Sequence, residues 1–336
     1  MELIKSMFPL KGVIESRIGG RNENQDGYGY RDTAIGTVIV VCDGMGGMQG
    51  GRFASAMAVN SIIRTFELAS PKDDVKAVLR GAIEKANNDI LQAGAENPDL
   101  YGMGTTVTAL VLTPKCATIA HVGDSRIYQF RGKRKHYRTF DHSMVFEMVK
   151  NGVLTEEQAR VSNQSNIILR ALGVSSEINP DICELPYKKG DRFLLCSDGF
   201  WGCMPEPTFI KKLTQKSEIG HIIEVTADHV DSIGQAKGGG HDNLTAAMVE
   251  VQKNSTMKAK LSKKMKVIIG SVVALLLIAA AALIVTSVVF NKDKDTNPET
   301  NSENIEQAGN NLENPVKEDS KPAEKPEKED KKDSEK

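Results

Sequence analysis

The amino-acid sequence predicts an α+β layered domain, followed by a single transmembrane helix and a disordered polar tail. Three observations carry this prediction. Short, β-branched or apolar runs bounded by Gly, Asp or Pro recur through the first three quarters of the chain and read as strands. Longer helical patterns lie between some of these runs but do not alternate with them strictly, which favours an α+β arrangement over a parallel α/β sheet. Finally, the stretch 267–290, VIIGSVVALLLIAAAALIVTSVVF, carries no charge and no proline.

Residues 1–252 form the predicted folded domain, long enough to bury a full core. Its expected strands are Thr37–Cys42, Thr106–Leu112, Thr118–Val122, Arg192–Cys196 and Leu244–Val251. A helix is expected to begin near Gly51. Another is announced by Ser70 as cap and Pro71 in the first turn, with Val75, Val78, Leu79, Ala82, Ile83, Ala86 and Ile90 at helical spacing. Ile219, Ile222, Ile223, Thr226 and Val230 mark a later helix. No internal repeat is visible.

Residues 253–266 read as a basic linker, in which Lys258, Lys260, Lys263, Lys264 and Lys266 crowd against the apolar run with no acid among them. As a helix at about 1.5 Å per residue, residues 267–290 reach about 36 Å, enough to cross a hydrocarbon layer of about 30 Å with some tilt. The lysines before it and the mixed charges after it (Lys292, Asp293, Lys294, Asp295) place the N-terminal side in the cytoplasm and the C-terminus outside a cell membrane, a single-pass topology. Nothing in MELIKSMFPL competes as a signal peptide. Residues 291–336 hold 9 lysines and 14 acids with almost no large apolar side chains, a composition too polar to offset its ordering entropy.

Lys+Arg 43 against Asp+Glu 44 leaves a net charge of −1, which argues against a general nucleic-acid binder. Cys42, Cys116, Cys183, Cys196 and Cys203 are odd in number, show no CxxC spacing and all precede the span. Free thiols in a reducing compartment explain them better than disulfides or a zinc site.

The chemical signal is a set of aspartates where apolar strands meet turns. Val38–Val41 runs through Cys42 into Asp43-Gly44-Met45-Gly46-Gly47. Phe193–Leu195 runs through Cys196-Ser197 into Asp198-Gly199, and Thr118–Val122 into Gly123-Asp124-Ser125-Arg126. Asp242-Asn243 opens the strand Leu244–Val251. One Asp-Gly at a strand end is usually a turn. Four in similar context point further, because converging carboxylates repel unless a cation lies between them, and oxygen-only ligands select hard ions such as Mg²⁺ or Mn²⁺. The six histidines show no H-x-x-x-H spacing. Glycines after Asp43 allow close backbone approach and a carbonyl ligand, but no lysine follows to make a nucleotide-binding loop.

In order along the chain, these motifs resemble the bacterial metal-dependent serine/threonine protein phosphatases, the PPM or type-2C family. The matching stretches are Arg21-Asn-Glu-Asn-Gln-Asp26, Asp43–Gly47, Gly104-Thr-Thr106, His121–Tyr128, Asp141-His-Ser143, Leu169–Gly173, Leu195–Gly199 and Asp242–Thr245, covering roughly residues 12–251. The resemblance implies a sandwich of two antiparallel β-sheets flanked by helices, with two Mn²⁺ or Mg²⁺ ions at one end. By position, Asp43 would bridge both ions, Asp198 and Asp242 would hold the first, and the Gly44 carbonyl and Asp26, through water, the second. Asp124 and Asp198 would hold a third, weaker ion, and Arg21 would grip the substrate phosphate. Arg21, Asp43, Asp198 and Asp242 are therefore the expected catalytic residues. Residues 151–166 occupy the family's flap, with Thr155 and Gln158 spaced as a capping box.

Two departures matter. Met45-Gly46-Gly47 stands where some members carry a histidine proposed as acid for the leaving alcohol, and Gln25 stands where some carry a glutamate. The acid is left unassigned, with water at the metal site as the expected source, ahead of His142 or His241. The implied activity is hydrolysis of phosphoserine and phosphothreonine on proteins at the cytoplasmic membrane face, opposing a membrane serine/threonine kinase. The alternative is an inactive phosphoprotein-binding scaffold of the same fold, whose mark would be a lost metal aspartate. A third reading makes the tail a wall tether or outside sensor with the phosphatase as its output.

Overall fold

A computed structural model of the protein describes residues 1–46, 50–257 and 271–283. The chain divides into two units, Met1–Lys260 and Leu261–Lys336. The first contains two antiparallel sheets. One has six strands in the order β1 (Glu2–Leu3), β2 (Leu10–Arg17), β13 (Leu244–Val251), β12 (Arg192–Cys196), β9 (Arg126–Arg131) and β10 (Arg134–Arg138). The other has five: β11 (Asp181–Leu185), β8 (Ala117–Val122), β7 (Val107–Leu112), β4 (Gly36–Cys42) and β3 (Gly27–Thr33). A short ribbon pairs β5 (Gly44–Met45) with β6 (Gly104–Thr105).

Side-chain alternation along the strands builds the layers. On β4, Ile39 and Val41 join Leu110, Ile119, Ile127, Phe193, Leu195 and Val249 in the core between the sheets. Val38, Val40 and Cys42 turn the other way, onto α1 (Gly50–Glu67) and α2 (Val75–Glu96) through Ala54, Ala58, Ile62, Leu79 and Ile83. On β13, Ala247 and Val249 face the sandwich, while Leu244, Ala246 and Met248 meet Ile219, Ile222, Ile223, Ala227 and Val230 of α7 (Ile219–Ala236). Central strands are thus buried on both faces, and their sequences run continuously apolar instead of alternating.

Four shorter α-helices are described in the rest of this unit: α3 (Met144–Lys150) just before the flap segment, α4 (Glu156–Arg160) within it, α5 (Asp198–Trp201) directly after β12, and α6 (Glu206–Leu213). The expected capping box is present, with Thr155 and Gln158 bonding each other's backbone. The expected Ser70-Pro71 start of α2 is corrected. The cap is Asp74, whose Oδ1 accepts the Ala77 N–H at 3.0 Å, while Ser70 and Pro71 lie in the preceding turn. Hydrogen bonding also continues past residue 252 into the stretch read as linker, as far as Met257.

In the second unit, residues 271–283 are helical with exposed apolar side chains. Among the described residues, no helix is long and apolar enough to cross a membrane. The rest of the expected span (267–270 and 284–290), the lysines at 258–266, Gly47 and the tail 291–336 lie outside the described residues.

Candidate active site

Antiparallel pairing brings alternate strand ends to one pole, and the sequence places its acids there. Asp43 follows β4, Asp124 follows β8 and Asp198 follows β12, while Asp26 precedes β3 and Asp242 precedes β13. Arg21 lies in the loop leaving β2. An open cavity of about 840 Å³ at this pole is lined by Arg21, Asp43, Gly44, Asp124, Asp198 and Asp242, together with Asn22, Glu23, Gln25, Met45, Asn166, Ile168 and Asn243. Asp26 sits against the same cluster. Every residue expected at the site is therefore at one place. Asn166 is the flap's last residue in the sequence reading, so that segment reaches the rim.

Backbone close packing holds the cluster. A Cβ on Gly44 would stand 2.1 Å from the Gly51 carbonyl oxygen and 2.6 Å from that of Gln25, and one on Gly199 would stand 2.0 Å from that of Asn243. Only glycine lets these loops meet. The Asp43 N–H donates to Thr106 Oγ1 at 2.9 Å, and the Asp43 carbonyl accepts from the Thr106 N–H and from Thr105 Oγ1, each at 2.8 Å. Ser197 Oγ donates to Asp26 Oδ2 at 2.8 Å. At the mouth, Arg21 Nη2 donates to Asp242 Oδ2 at 2.8 Å, with both side chains about half exposed.

The carboxylates are poorly compensated by protein. One oxygen each of Asp26, Asp124 and Asp198 is buried without a hydrogen-bond partner among the described residues. Burial, with repulsion from Asp198 and Asp242, pushes the Asp26 carboxyl up to about 7. Burial and Asp242 raise Asp198 to about 6. Asp43 is held well above the carboxylate range by burial and by Asp26 and Asp198, and Asp124 by burial and by Asp198 and Asp141. Buried among like charges, these four carboxyls hold their protons to a higher pH than isolated ones do. Orphaned oxygens and mutual repulsion at one cavity fit a binding place for hard divalent cations, whose charge would replace those protons.

The histidines fit other roles. His241 Nε2 bonds Asp231 Oδ1 at 3.0 Å, and no histidine lines the cavity. His121, His142 and Asp181 form a separate group with metal-ligand atoms near one another. There, His142 Nδ1 accepts the Gly123 N–H at 3.2 Å, so the neutral ring carries its proton on Nε2, facing Asp181 Oδ2 at 3.2 Å. That tautomer has no lone pair left for a cation. All five cysteines are free and none lines the cavity; Cys42 and Cys196 fill the two helix-facing cores.

Sequence reasoning missed several supports. Asn243 donates through Nδ2 to the Ile18 and Glu23 carbonyls and accepts the Gln25 N–H through Oδ1, which clamps the loop carrying Arg21 and Asp26. Its only signal was its place beside Asp242. Trp201 Nε1 donates to the Asp124 carbonyl at 3.0 Å, and its ring lies 3.2 Å from the Arg126 guanidinium, itself doubly bonded to Asp141 at 2.7 and 2.8 Å.

Known proteins resemble this chain in sequence and fold. Residues 15–263 match the family described as Protein phosphatase 2C. Protein phosphatase PhpP of Streptococcus pneumoniae is 35% identical over 239 residues, covering 69% of this chain and 93% of that protein. The crystal structure of serine/threonine phosphatase Stp1 from Staphylococcus aureus superposes with a TM-score of 0.67 at 26% identity, covering 75% of this chain and 100% of that one. The catalytic domain of serine/threonine protein phosphatase PstP, solved in complex with 2 manganese ions, gives 0.62 at 29% identity over 73% of this chain and 99% of that one. The chain belongs to the protein phosphatase 2C family of serine/threonine phosphatases.

Proposed function

We propose that the protein hydrolyses phosphoserine and phosphothreonine on other proteins with two Mn²⁺ or Mg²⁺ ions, acting at the cytoplasmic face of a membrane. The observation that carries the chemistry is the meeting of five aspartates at one cavity with three buried, unpartnered carboxylate oxygens. Asp43, Asp198, Asp242, Asp26 and the Gly44 carbonyl would hold the pair, and Asp124 with Asp198 a third, weaker ion. When bound, such ions supply the Lewis acidity that makes water nucleophilic at neutral pH and the positive charge that phosphoryl transfer needs.

The protein's own groups bind and orient. Arg21 stands at the mouth, where its guanidinium fork can take two phosphoryl oxygens while Asp242 fixes its near edge. Asn243 sets the height of the Arg21 loop, and Thr106 fixes Asp43 from behind. Among the described residues no cysteine or histidine lines the cavity, so neither serves there as nucleophile or acid, and cavity water would fill both roles. The test is a calorimetric Mn²⁺ titration of residues 1–257 beside phosphate release from a phosphothreonine peptide. Asp43→Asn should abolish both; tight metal binding and full activity in that variant would sink the reading.

The membrane part rests on the uncharged run 267–290 and the five lysines before it. Anchoring would confine the search for substrate to the membrane face, which suits a membrane serine/threonine kinase and its targets as substrates. Alkaline extraction of membranes containing the full chain tests it: release into the supernatant would remove the anchor.

A further inference from the structure

We propose that the pole of the catalytic domain opposite the active site is a docking face for an anionic phospholipid bilayer. The proposal rests on the membrane-anchored reading above. All the strands that end at the aspartates begin or finish at this second pole, and β13, eight residues long, separates the two by about 25 Å.

The chain leaves the domain here, and it does so pinned. The Gln252 N–H donates to the Pro9 carbonyl at 2.8 Å, Ser255 to Tyr187 at 3.0 Å, Thr256 to Pro114 at 3.0 Å and Met257 to Lys115 at 2.9 Å. Lys189 N–H donates to Asn254 Oδ1 at 2.8 Å. This web gathers Lys115, Lys188, Lys189 and Lys253 onto one surface, and the turn between β9 and β10 adds Lys133 and Arg134. All six are exposed. Among these six only Lys115 forms an ion pair, with Glu184 at 3.6 Å, and Glu184 is engaged more closely by Lys76 at 3.0 Å.

The acids of the same pole have local hydrogen-bond partners, although Asp73 and Asp74 stay exposed. Asp191 is buried against Arg131 and Gln129. Asp32 accepts from Ser6, from Thr37 and from the Met7 N–H. Asp74 caps α2, and Asp73 accepts the Ser70 N–H. What faces outward is cationic on balance, and beside it Met7 is 89% exposed at the rim of a groove lined also by Phe8, Pro114, Lys253, Asp32 and Asp73. Cations around a protruding apolar side chain match the headgroup boundary of an anionic leaflet.

Covalent continuity selects this partner over other anions. Nine residues lie between Met257 and Val267, where the uncharged run begins, a tether of at most about 35 Å. A tether leaving from the basic pole holds that pole near the surface it attracts, and the phosphate cleft then opens away from the membrane toward proteins in solution or on neighbouring chains.

The test uses residues 1–257, which lack both the lysine cluster and the apolar run. They form a compact unit with its own cores, and Stp1 shows that a chain of this extent folds alone. Co-sedimentation is run with phosphatidylcholine vesicles with and without about 30 mol % phosphatidylglycerol. Binding is expected only with phosphatidylglycerol, weakening by about tenfold or more in high salt. Each cation at a membrane surface contributes roughly a fivefold factor, so Lys115→Glu, Lys188→Glu, Lys189→Glu and Lys253→Glu together should cost a hundredfold or more. Phosphate release from a soluble phosphopeptide should not change, which certifies the fold. Absent phosphatidylglycerol-dependent binding, binding that survives the four substitutions, or tighter binding to a single-stranded oligonucleotide would each overturn the proposal. Alkaline extraction of the full chain reports on the anchor separately. Binding by residues 1–257 with an extractable full chain would keep the docking face and remove the anchor, and the reverse result would remove only the docking face.

Discussion

Breaking the ion pair between Arg126 and Asp141 should destabilise the catalytic domain more than any exposed charge change. The pair is bidentate, at 2.7 and 2.8 Å, with side-chain exposures of 3% and 1%. Asp141→Asn leaves a guanidinium buried between Trp201 and Phe146 without its counter-charge, its polar partners reduced to the new amide oxygen and the Tyr128 hydroxyl at 3.1 Å. Removing one partner of such a pair costs about 3–5 kcal/mol, because the survivor stays charged and dry. For a domain of this size that lowers Tm by roughly 10 °C. Urea unfolding of Asp141→Asn, Arg126→Met and the double variant measures the coupling directly. The double variant should recover a large part of the loss, since removing both charges also removes their desolvation cost. Activity should fall with stability, because the Trp201 ring that covers Arg126 also holds the Asp124 carbonyl. A cost below about 1 kcal/mol in Asp141→Asn, or strictly additive single variants, would refute this account of the pair.

Other outcomes follow from the same coordinates. In EDTA, Asp26→Asn removes one of several mutually repelling carboxylates, so melting temperature should rise above the parent's; with saturating Mn²⁺ the order should reverse, and an unchanged order would contradict the cation-site reading. Gly199→Ala drives a Cβ to 2.0 Å from the Asn243 carbonyl, and a loss of about 1–3 kcal/mol with impaired phosphate release should appear in melts and assays; a neutral result would mean these loops can part freely. Burial holds the His142 imidazole below its ordinary value of 6.5, so its neutral form favours the folded state above that pH and the contribution fades as pH falls. The destabilisation caused by His142→Asn should therefore be largest at neutral pH and shrink toward pH 5; a pH-independent difference would place its role in packing alone.

The site was more legible than the fold around it. Asp43, Asp124, Asp198 and Asp242 announced themselves because each interrupts an apolar strand at a turn, a contrast that one sequence displays. The two-sheet sandwich followed from the family resemblance and was borne out, but the strand patterns alone did not reveal it. Strands buried on both faces run apolar throughout, as in Val38–Val41, and lose the alternation that would reveal which face meets which layer. Edge strands were hidden for the opposite reason. β3, GYGYRDT, carries glycine because a Cβ on Gly29 would stand 2.6 Å from Ile63 on α1, and β10, RKHYR, is almost wholly polar. Supports such as Asn243, Thr106 and Trp201 act through partners far away in sequence, which periodicity cannot announce. The α2 cap went astray because Ser70 and Asp74 are both capable caps four residues apart, and only Asp74 has the helix in register behind it.

The central claim is that the clustered aspartates hold cations that make this domain a phosphatase. Its most direct measurement is phosphate release from a phosphothreonine peptide by residues 1–257, with Mn²⁺ titrated, beside Asp198→Asn. Release that depends on metal and falls about a hundredfold or more in the variant is the predicted result. Metal-independent release, or equal activity in folded Asp198→Asn at every Mn²⁺ concentration, would contradict it.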